Sequence, residues 1–183
     1  MSEAWRDLQL AVQIQNVTHR YGERVALDDV SFDVNRGEVF GLLGPNGSGK
    51  STLFKLLSTL VPIQDGEVRI LGDDVRAKAA RVRERVGVVF QHPALDKQLT
   101  VLENIRYHGR LFGMNARDIA ARSAEWLERF RLADRADELV LKLSGGMRRK
   151  VELIKALLPN PKVLILDEPS TGLDVNARID LQQ

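Results

Sequence analysis

The sequence predicts an α/β fold, and three features of the 183-residue chain indicate it. Alternating apolar and polar residues near the N-terminus predict antiparallel strands with one wet face. A continuous apolar run then leads into a glycine-rich loop and a helical pattern. A long helical stretch precedes a final apolar strand. We therefore expect one domain over residues 1–183, with an antiparallel β part and a helical insert at about 93–142.

The elements can be justified in chain order. The alternating residues are Val12 and Ile14, then Val30, Phe32 and Val34. Residues 38–43 form the continuous apolar run, which predicts a strand buried on both faces. A helix is expected from Lys50 to Thr59, because apolar residues recur at helical spacing and Pro62 follows. Its predicted apolar stripe consists of Leu53, Phe54, Leu56, Leu57 and Leu60.

Residues 68–71 and 86–90 predict two further strands, separated by a basic stretch over residues 76–85. That stretch could be a patch for a phosphate backbone, but a solvated helix face is favoured because no aromatic residue interrupts it. The pattern over residues 100–137 is helical, and Thr100 with Glu103 predicts a capping box at its start.

The last two predicted elements are a helix and a strand. Ser144 is expected to cap the helix. Residues 162–166 predict a buried strand that ends in Asp167 and Glu168. The buried face of the helix is predicted to carry Met147, Val151, Ile154, Leu157 and Leu158.

Composition excludes several classes of protein. The net charge of +2 is too small to indicate a nucleic-acid or anionic-membrane partner by itself. The absence of cysteine excludes disulfide frameworks and thiolate metal sites, and it fits a reducing compartment. No signal peptide begins the chain, and no apolar run approaches the ~20 residues of a spanning helix. Membrane association would therefore have to come through a partner.

One motif carries the strongest chemical signal. Residues 44–51 fit the pattern G-x-x-x-x-G-K-[ST] and lie between a predicted strand and a predicted helix, as phosphate binding requires. Glycines allow backbone N–H groups to point at phosphates, and the helix N-terminus adds partial positive charge. Lys50 should reach the β- and γ-phosphates, and the Ser51 hydroxyl should bind Mg²⁺. The alternative, an ordinary glycine turn, is weak in this context.

Two adjacent acids follow the final predicted strand. Asp167 can hold Mg²⁺ through water, and Glu168 is placed to orient or deprotonate an attacking water. Acids are also common at solvated strand ends, so this signal depends on the phosphate loop beside it.

Three further features are weak when taken alone. Residues 143–147 open a helix with small residues, which offers backbone donors to an anion but also fits an ordinary capped helix. Gln91 could be an exposed loop amide, and Tyr21 could be a turn aromatic.

Taken together and in this order, the motifs resemble those of ABC ATPases, over the chain from Val12 to its end. Tyr21 matches the aromatic residue that stacks on adenine, and Gln91 matches the Q-loop glutamine. Asp167 and Glu168 match Walker B with its catalytic acid. The Walker A match and its first following residue are Gly44, Pro45, Asn46, Gly47, Ser48, Gly49, Lys50, Ser51 and Thr52. The signature matches at residues 143–147, and the D-loop matches at 170–174.

The resemblance implies a P-loop NTPase fold of the ABC type, with ATP and Mg²⁺ as ligands. It also implies a homodimer or a pair of ATP-binding subunits, in which Ser144, Gly145, Gly146 and Asp174 contact nucleotide across the interface. The metal would be held by Ser51, Gln91 and Asp167, and catalysis would depend on Glu168, Gln91 and Lys50. Such subunits bind a separate transmembrane permease at the cytoplasmic face of the membrane.

Two departures from the family pattern are informative. Met147 replaces the usual signature glutamine. This variant of the signature resembles the one in the branch of the family that serves drug, lipid and polysaccharide exporters. The family's switch histidine lies beyond the D-loop, whereas His19, His92 and His108 all precede Walker B. The sequence is therefore expected to be C-terminally incomplete. Residues 1–183 alone are expected to lack a central strand and to be unable to turn over ATP.

Two other functions compete with an exporter ATPase. A soluble ABC ATPase acting on nucleic acid or ribosomes is the main alternative, but the chain has no second phosphate loop, zinc-type cysteines or long heptads. A regulatory module that binds nucleotide without hydrolysing it is disfavoured by the intact Lys50, Ser51, Asp167 and Glu168. No direct nucleic-acid contact is expected. The transported substrate and its permease cannot be read from these residues.

Overall fold

The computed structural model describes residues 9–91 and 94–167. They form two compact units, which divide between Val86 and Gly87. The first unit contains strands β1 Leu10–Tyr21, β2 Arg24–Asn35, β3 Asp65–Ile70 and β4 Asp73–Asp74, with helices α1 Lys50–Leu57 and α2 Ala79–Arg83. The remaining elements are β5 Val86–Val89, α3 Val101–Leu111, α4 Ala116–Arg129, α5 Gly145–Leu157 and β6 Val163–Leu166, with short 3₁₀ helices at Ala133–Arg135 and Val140–Lys142.

The first unit is built on an antiparallel sheet with the strand order β2-β1-β3-β4. Val12 pairs with Val34 and Ile14 pairs with Phe32, so the alternating residues face each other across β1 and β2. This confirms the predicted antiparallel strands. Along β2, half-buried residues alternate with exposed residues, as expected of a sheet with one wet face.

The strand predicted at residues 38–43 is wrong. These residues belong to no strand in the structure, and the side chains of Val39 and Leu43 are 99% and 96% exposed. Phe40 stacks on Phe32 with 5.0 Å between ring centroids. The physical reason is that an apolar run is buried as a central strand only when other strands flank it. Among the described residues, no strand pairs with residues 38–43.

Helix α1 confirms the prediction that a helix follows the glycine-rich loop. Leu53, Leu56 and Leu57 are buried on its inner face. Leu60 was wrongly assigned to that face, because the helix ends at Leu57, Thr59 adopts a positive φ of 60°, and Leu60 is 60% exposed.

The basic stretch is organised around one buried carboxylate. Asp73 is 4% exposed, and its oxygens lie 3.0 Å from nitrogens of Lys78, Arg81 and Arg85. The hydrogen bond from Lys78 is the largest cause of the lowered pKa of Asp73, and the charges of Arg81 and Arg85 add to it. Part of the stretch therefore stabilises the fold in addition to facing solvent.

The second unit contains the predicted helices. The capping box at α3 is confirmed, since Thr100 Oγ1 accepts from the Glu103 N–H and the Glu103 carboxylate accepts from the Thr100 N–H. Gly109 of α3 lies so close to α4 that an added Cβ would be 2.8 Å from Ile119. The main core of this unit comprises Val101, Ile105, Leu127, Leu132, Val140, Leu143, Val151, Ile154 and Leu158.

Strands β5 and β6 form a two-stranded sheet. The strand predicted at residues 162–166 is confirmed, but only Ile165 within it is buried, and Leu164 is 38% exposed. A smaller core of Val89, Leu153 and Ala156 joins this sheet to α5. Within residues 9–91 and 94–167, no helix is long and apolar enough to cross a membrane.

Candidate nucleotide site

The glycine-rich loop rests on the start of β2. Gly49 caps α1 in the left-handed conformation, with φ 90°, and a Cβ there would lie 2.3 Å from the Ala26 carbonyl oxygen. Gly47 also has a positive φ of 84°, and a Cβ there would lie 3.4 Å from the guanidinium of Arg24. Only glycine combines this conformation with this close approach. The loop is thus built against β2.

Lys50 is folded back over the loop that precedes it. Its ammonium donates to the carbonyl oxygens of Gly44 at 2.6 Å and Pro45 at 2.8 Å, and lies 3.4 Å from the Ser48 hydroxyl. The charge therefore lies at the loop itself. A phosphate bound by the loop would meet this cation.

The other loop residues lie around this cation. The Ser48 N–H donates to the Pro45 carbonyl, and a Cβ on Gly44 would lie 2.8 Å from Ser48 Oγ, so the loop closes tightly. Asn46 is exposed in the turn. In the first turn of α1, Ser51 is exposed and available to a ligand, whereas Thr52 is buried with 9% exposure.

Tyr21 lies at the hairpin that joins β1 to β2. It ends β1, pairs with Arg24 across the hairpin, and is 46% exposed. Its ring meets the ring of His19 edge to face, with 4.8 Å between centroids. Arg24, in the same hairpin, approaches Gly47. Tyr21 and residues 44–52 belong to the same unit, and the stacking of adenine on Tyr21 stays a prediction.

Gln91 and Asp167 lie at one edge of the small sheet in the second unit. Gln91 follows β5 by two residues, Asp167 directly follows β6, and the Asp167 N–H donates to the Val89 carbonyl at 2.9 Å. The two strand ends are therefore adjacent. The expectation that both residues serve one site stays a prediction.

The signature residues form the start of α5. Ser144 Oγ accepts from the Met147 N–H at 3.2 Å, which confirms the predicted cap. Ser144 and Gly145 are exposed and Gly146 is half-buried, and a Cβ on Gly145 would meet nothing within 4 Å. This end of the helix is open to a binding partner.

Some predicted residues lie outside the described residues: Glu168, Asp174 with the D-loop at 170–174, and His92. Their roles remain predictions. The phosphate loop belongs to the first unit, and Gln91, Asp167 and Ser144 belong to the second.

Arg149 is not among the residues that the sequence predicted for the site. This residue of α5 is 2% exposed and donates to the carbonyl oxygens of Phe90 and Asp167. A signal was available, because Arg149 shares a helical face with the buried Leu153 and Ala156 at positions i+4 and i+7. A charged residue on an apolar face indicates a specific buried partner.

The described residues fit the ligands that the motifs imply. The backbone N–H groups of a glycine-rich loop and the Lys50 ammonium are groups that can bind the phosphates of ATP. Mg²⁺ usually keeps several waters and is bound by one or two protein ligands together with phosphate oxygens. Within residues 9–91 and 94–167, no group of three or more His, Cys, Asp or Glu side chains could hold a metal ion.

The loop, its lysine and the helix behind it define a nucleotide-binding domain of the P-loop class. The chain belongs to the ABC transporter family, whose model matches residues 27–171.

Proteins similar to the chain agree with that family. Nod factor export ATP-binding protein I of Sinorhizobium fredii (strain NBRC 101917 / NGR234) is 45% identical over 92% of this chain and 49% of its own length. Daunorubicin resistance ATP-binding protein DrrA3 of Streptomyces coeruleorubidus is 45% identical over 93% of this chain and 54% of its own length. The chain thus spans about half the length of these curated relatives. A solved ATP-binding subunit of an ABC transporter matches 93% of this chain and 71% of its own, with TM-score 0.85 and 31% identity.

Proposed function

We propose that the full-length protein is the ATP-binding and ATP-hydrolysing subunit of a membrane exporter. The observation that carries the proposal is the Lys50 ammonium, which is held by the carbonyl oxygens of Gly44 and Pro45 over a loop that contains glycines with positive φ angles. The export direction is supported by relatives named for Nod factor export and daunorubicin resistance.

ATP would bind with its adenine against Tyr21 and its phosphates in the loop of residues 44–51. Lys50 would leave the carbonyl oxygens of Gly44 and Pro45 and contact the β- and γ-phosphates. Ser51, Gln91 and Asp167 would hold Mg²⁺, which would neutralise part of the negative charge of the phosphates.

Hydrolysis would depend on Glu168. Its carboxylate would accept a proton from a water molecule as the water oxygen attacks the γ-phosphorus. The bond from that phosphorus to the β–γ bridging oxygen would break, which yields ADP and inorganic phosphate. Gln91 would help to position the water.

Two subunits, identical or paired, would be needed for a complete site. Ser144, Gly145, Gly146 and Asp174 would contact the nucleotide held by the second subunit, so that ATP closes the pair and hydrolysis reopens it. A separate transmembrane permease would hold the pair at the cytoplasmic face of the membrane.

The test is to express the full-length tagged protein in its native membrane, solubilise it gently, and identify by mass spectrometry what co-purifies stoichiometrically. A multi-span membrane protein, in a complex that hydrolyses ATP, would support the proposal and identify the permease. Recovery in the soluble fraction with ribosomes or nucleic acid would instead support the alternative function, while leaving the ATP site as described.

A further inference from the structure

Arg149 joins three elements of the second unit. It lies in α5, its side chain is buried, and the residue is 2% exposed. One guanidinium nitrogen, Nη1, donates to the Phe90 carbonyl oxygen, and the other, Nη2, donates to the Asp167 carbonyl oxygen at 2.8 Å. These carbonyls lie at the ends of β5 and β6. Each is followed in the sequence by a residue of the expected site, Gln91 in one case and Glu168 in the other.

Burying this cation has a cost that the two carbonyls offset. Desolvation lowers the pKa of Arg149, and the charges of Glu152 and Asp167 oppose that effect. A buried charge persists only where hydrogen bonds and neighbouring charges replace water. An apolar residue beside Leu153 and Ala156 would be buried without the desolvation cost of a charge. We therefore attribute the presence of arginine at position 149 to its hydrogen bonds.

The shape of the guanidinium fixes a distance. Its two terminal nitrogens are held in a rigid planar fork, so acceptors bound to both are held at one separation. The Asp167 N–H donates to the Val89 carbonyl at 2.9 Å, which joins the same two strand ends directly. Arg149 thus holds both strand ends to α5 as well as to each other. A lysine has one point charge and cannot reproduce the fork.

The same helix begins with the signature residues. Ser144 caps α5 only five residues before Arg149, about 7 Å along the helix axis at 1.5 Å per residue. An α-helix is rigid over this length, so a displacement of its N-terminus is transmitted to the guanidinium. The strand ends that precede Gln91 and Glu168 would follow.

We propose that Arg149 is a positioning residue for ATP hydrolysis, which sets the strand ends bearing Gln91 and Glu168 relative to the signature helix. The inference rests on the proposed function, in which Ser144 contacts nucleotide on the second subunit. Engagement of the signature by that nucleotide would thereby align this subunit's own catalytic carboxylate. In this proposal Arg149 acts through the two strand ends and not by contact with substrate or metal.

The test compares three variants of the full-length protein in its transporter complex. Arg149→Gln removes the charge and the fork, and Arg149→Lys keeps the charge alone. Arg122→Gln is the matched control, because half-buried Arg122 of α4 also donates to a backbone carbonyl, that of Leu158, at 2.8 Å but away from the strand ends. We measure kcat, KM, binding of a fluorescent ATP analogue, and amide hydrogen exchange in peptides covering residues 89–91 and 166–168.

Arg149→Gln is expected to lower kcat at least tenfold, with KM and analogue binding within twofold of the wild-type values. Exchange in the two strand-end peptides should rise, Arg149→Lys should recover part of both effects, and Arg122→Gln should leave both within twofold. Equal losses of kcat and analogue binding, accompanied by general unfolding in Arg149→Gln and Arg149→Lys alike, would overturn the inference by showing a purely structural role. Unchanged kcat and exchange would overturn it as well. If the wild-type complex fails to hydrolyse ATP, the proposed function fails, and the strand-end exchange still decides whether Arg149 positions these residues.

Discussion

Gly49 and Ala26 are in such close contact that a single added carbon at Gly49 would lie 2.3 Å from the Ala26 carbonyl oxygen. The neighbour is backbone, which cannot turn aside as a flexible side chain could. The phosphate loop is therefore held in place by β2 and not only by its own turns. Substitutions at Gly49 should consequently affect the fold as well as the ligand.

The first prediction concerns this contact. Gly49→Ala should destabilise the protein by about 2–5 kcal/mol, combining about 1–2 kcal/mol for a left-handed non-glycine residue with about 1–3 kcal/mol for overpacking. Gly72→Ala is the control, because Gly72 has a similar φ of 78° but nothing within 4 Å of an added Cβ. It should cost about 1–2 kcal/mol, the conformational part alone. Urea denaturation measures both values, and equal losses would show that the contact with Ala26 contributes nothing.

The second prediction concerns Lys50. Lys50→Ala should weaken ATP binding by roughly 10- to 150-fold, since charge-assisted hydrogen bonds contribute about 1.5–3 kcal/mol each. Calorimetry on the full-length protein measures the affinity. Lys55→Ala is the control, because Lys55 is an exposed lysine of the same helix five residues further on. Unchanged affinity in Lys50→Ala, or an equal loss in Lys55→Ala, would contradict a specific role for Lys50.

The third prediction tests the catalytic acid. Glu168→Gln in the complete protein should retain ATP binding and lose about 10²- to 10⁴-fold in turnover, the usual contribution of a general base. Steady-state phosphate release measures turnover, and nucleotide binding is measured in parallel. Glu125→Gln, which removes an exposed carboxylate of α4, should change neither. Normal turnover in Glu168→Gln would remove Glu168 from the mechanism.

The local elements were predictable because each depends on short-range patterns. Thr100 and Glu103 are three residues apart, and Ser144 precedes its own helix, so capping chemistry alone locates both helix starts. The fate of residues 38–43 was not predictable in this way. Their apolar character indicates what they could bury, whereas burial of Val39 and Leu43 requires flanking strands from distant parts of a sheet.

Arg149 illustrates a second limit of sequence reasoning. Its helical position indicates that it faces the core, but its partners are backbone carbonyls of Phe90 and Asp167, 59 and 18 residues away in sequence. Backbone acceptors leave no trace in residue identity, because every residue supplies one. The placement of Gln91 and Asp167 at one edge of the sheet could be predicted from the sequence. The role of Arg149 in joining their strands could not.

The last prediction concerns the pH dependence of stability. Burial is the main cause that lowers the pKa of His108 from 6.5 to about 4, and the nearby charge of Lys155 lowers it further. In the unfolded chain the same imidazole binds a proton near its ordinary pKa. The unfolded state therefore holds more protons between these two values, and by linkage the free energy of unfolding falls as the pH decreases from 6.5 to about 4. Well above 6.5 the group is neutral in both states and this loss is absent.

His108→Gln should remove this contribution, because glutamine does not titrate. The difference in unfolding free energy between wild type and variant should level off well above pH 6.5 and should shift in favour of the variant at lower pH. The shift is at most about 3.5 kcal/mol, given about 1.4 kcal/mol per pKa unit, and partial exposure of the ring reduces it. Urea denaturation of both proteins at several pH values from 7.5 to 4.5 measures the difference. Carboxylates that titrate in this range are present in both proteins, so their contributions to the unfolding free energy cancel in the difference. A difference that stays flat across this range would show that His108 is as readily protonated in the folded protein as in the unfolded chain.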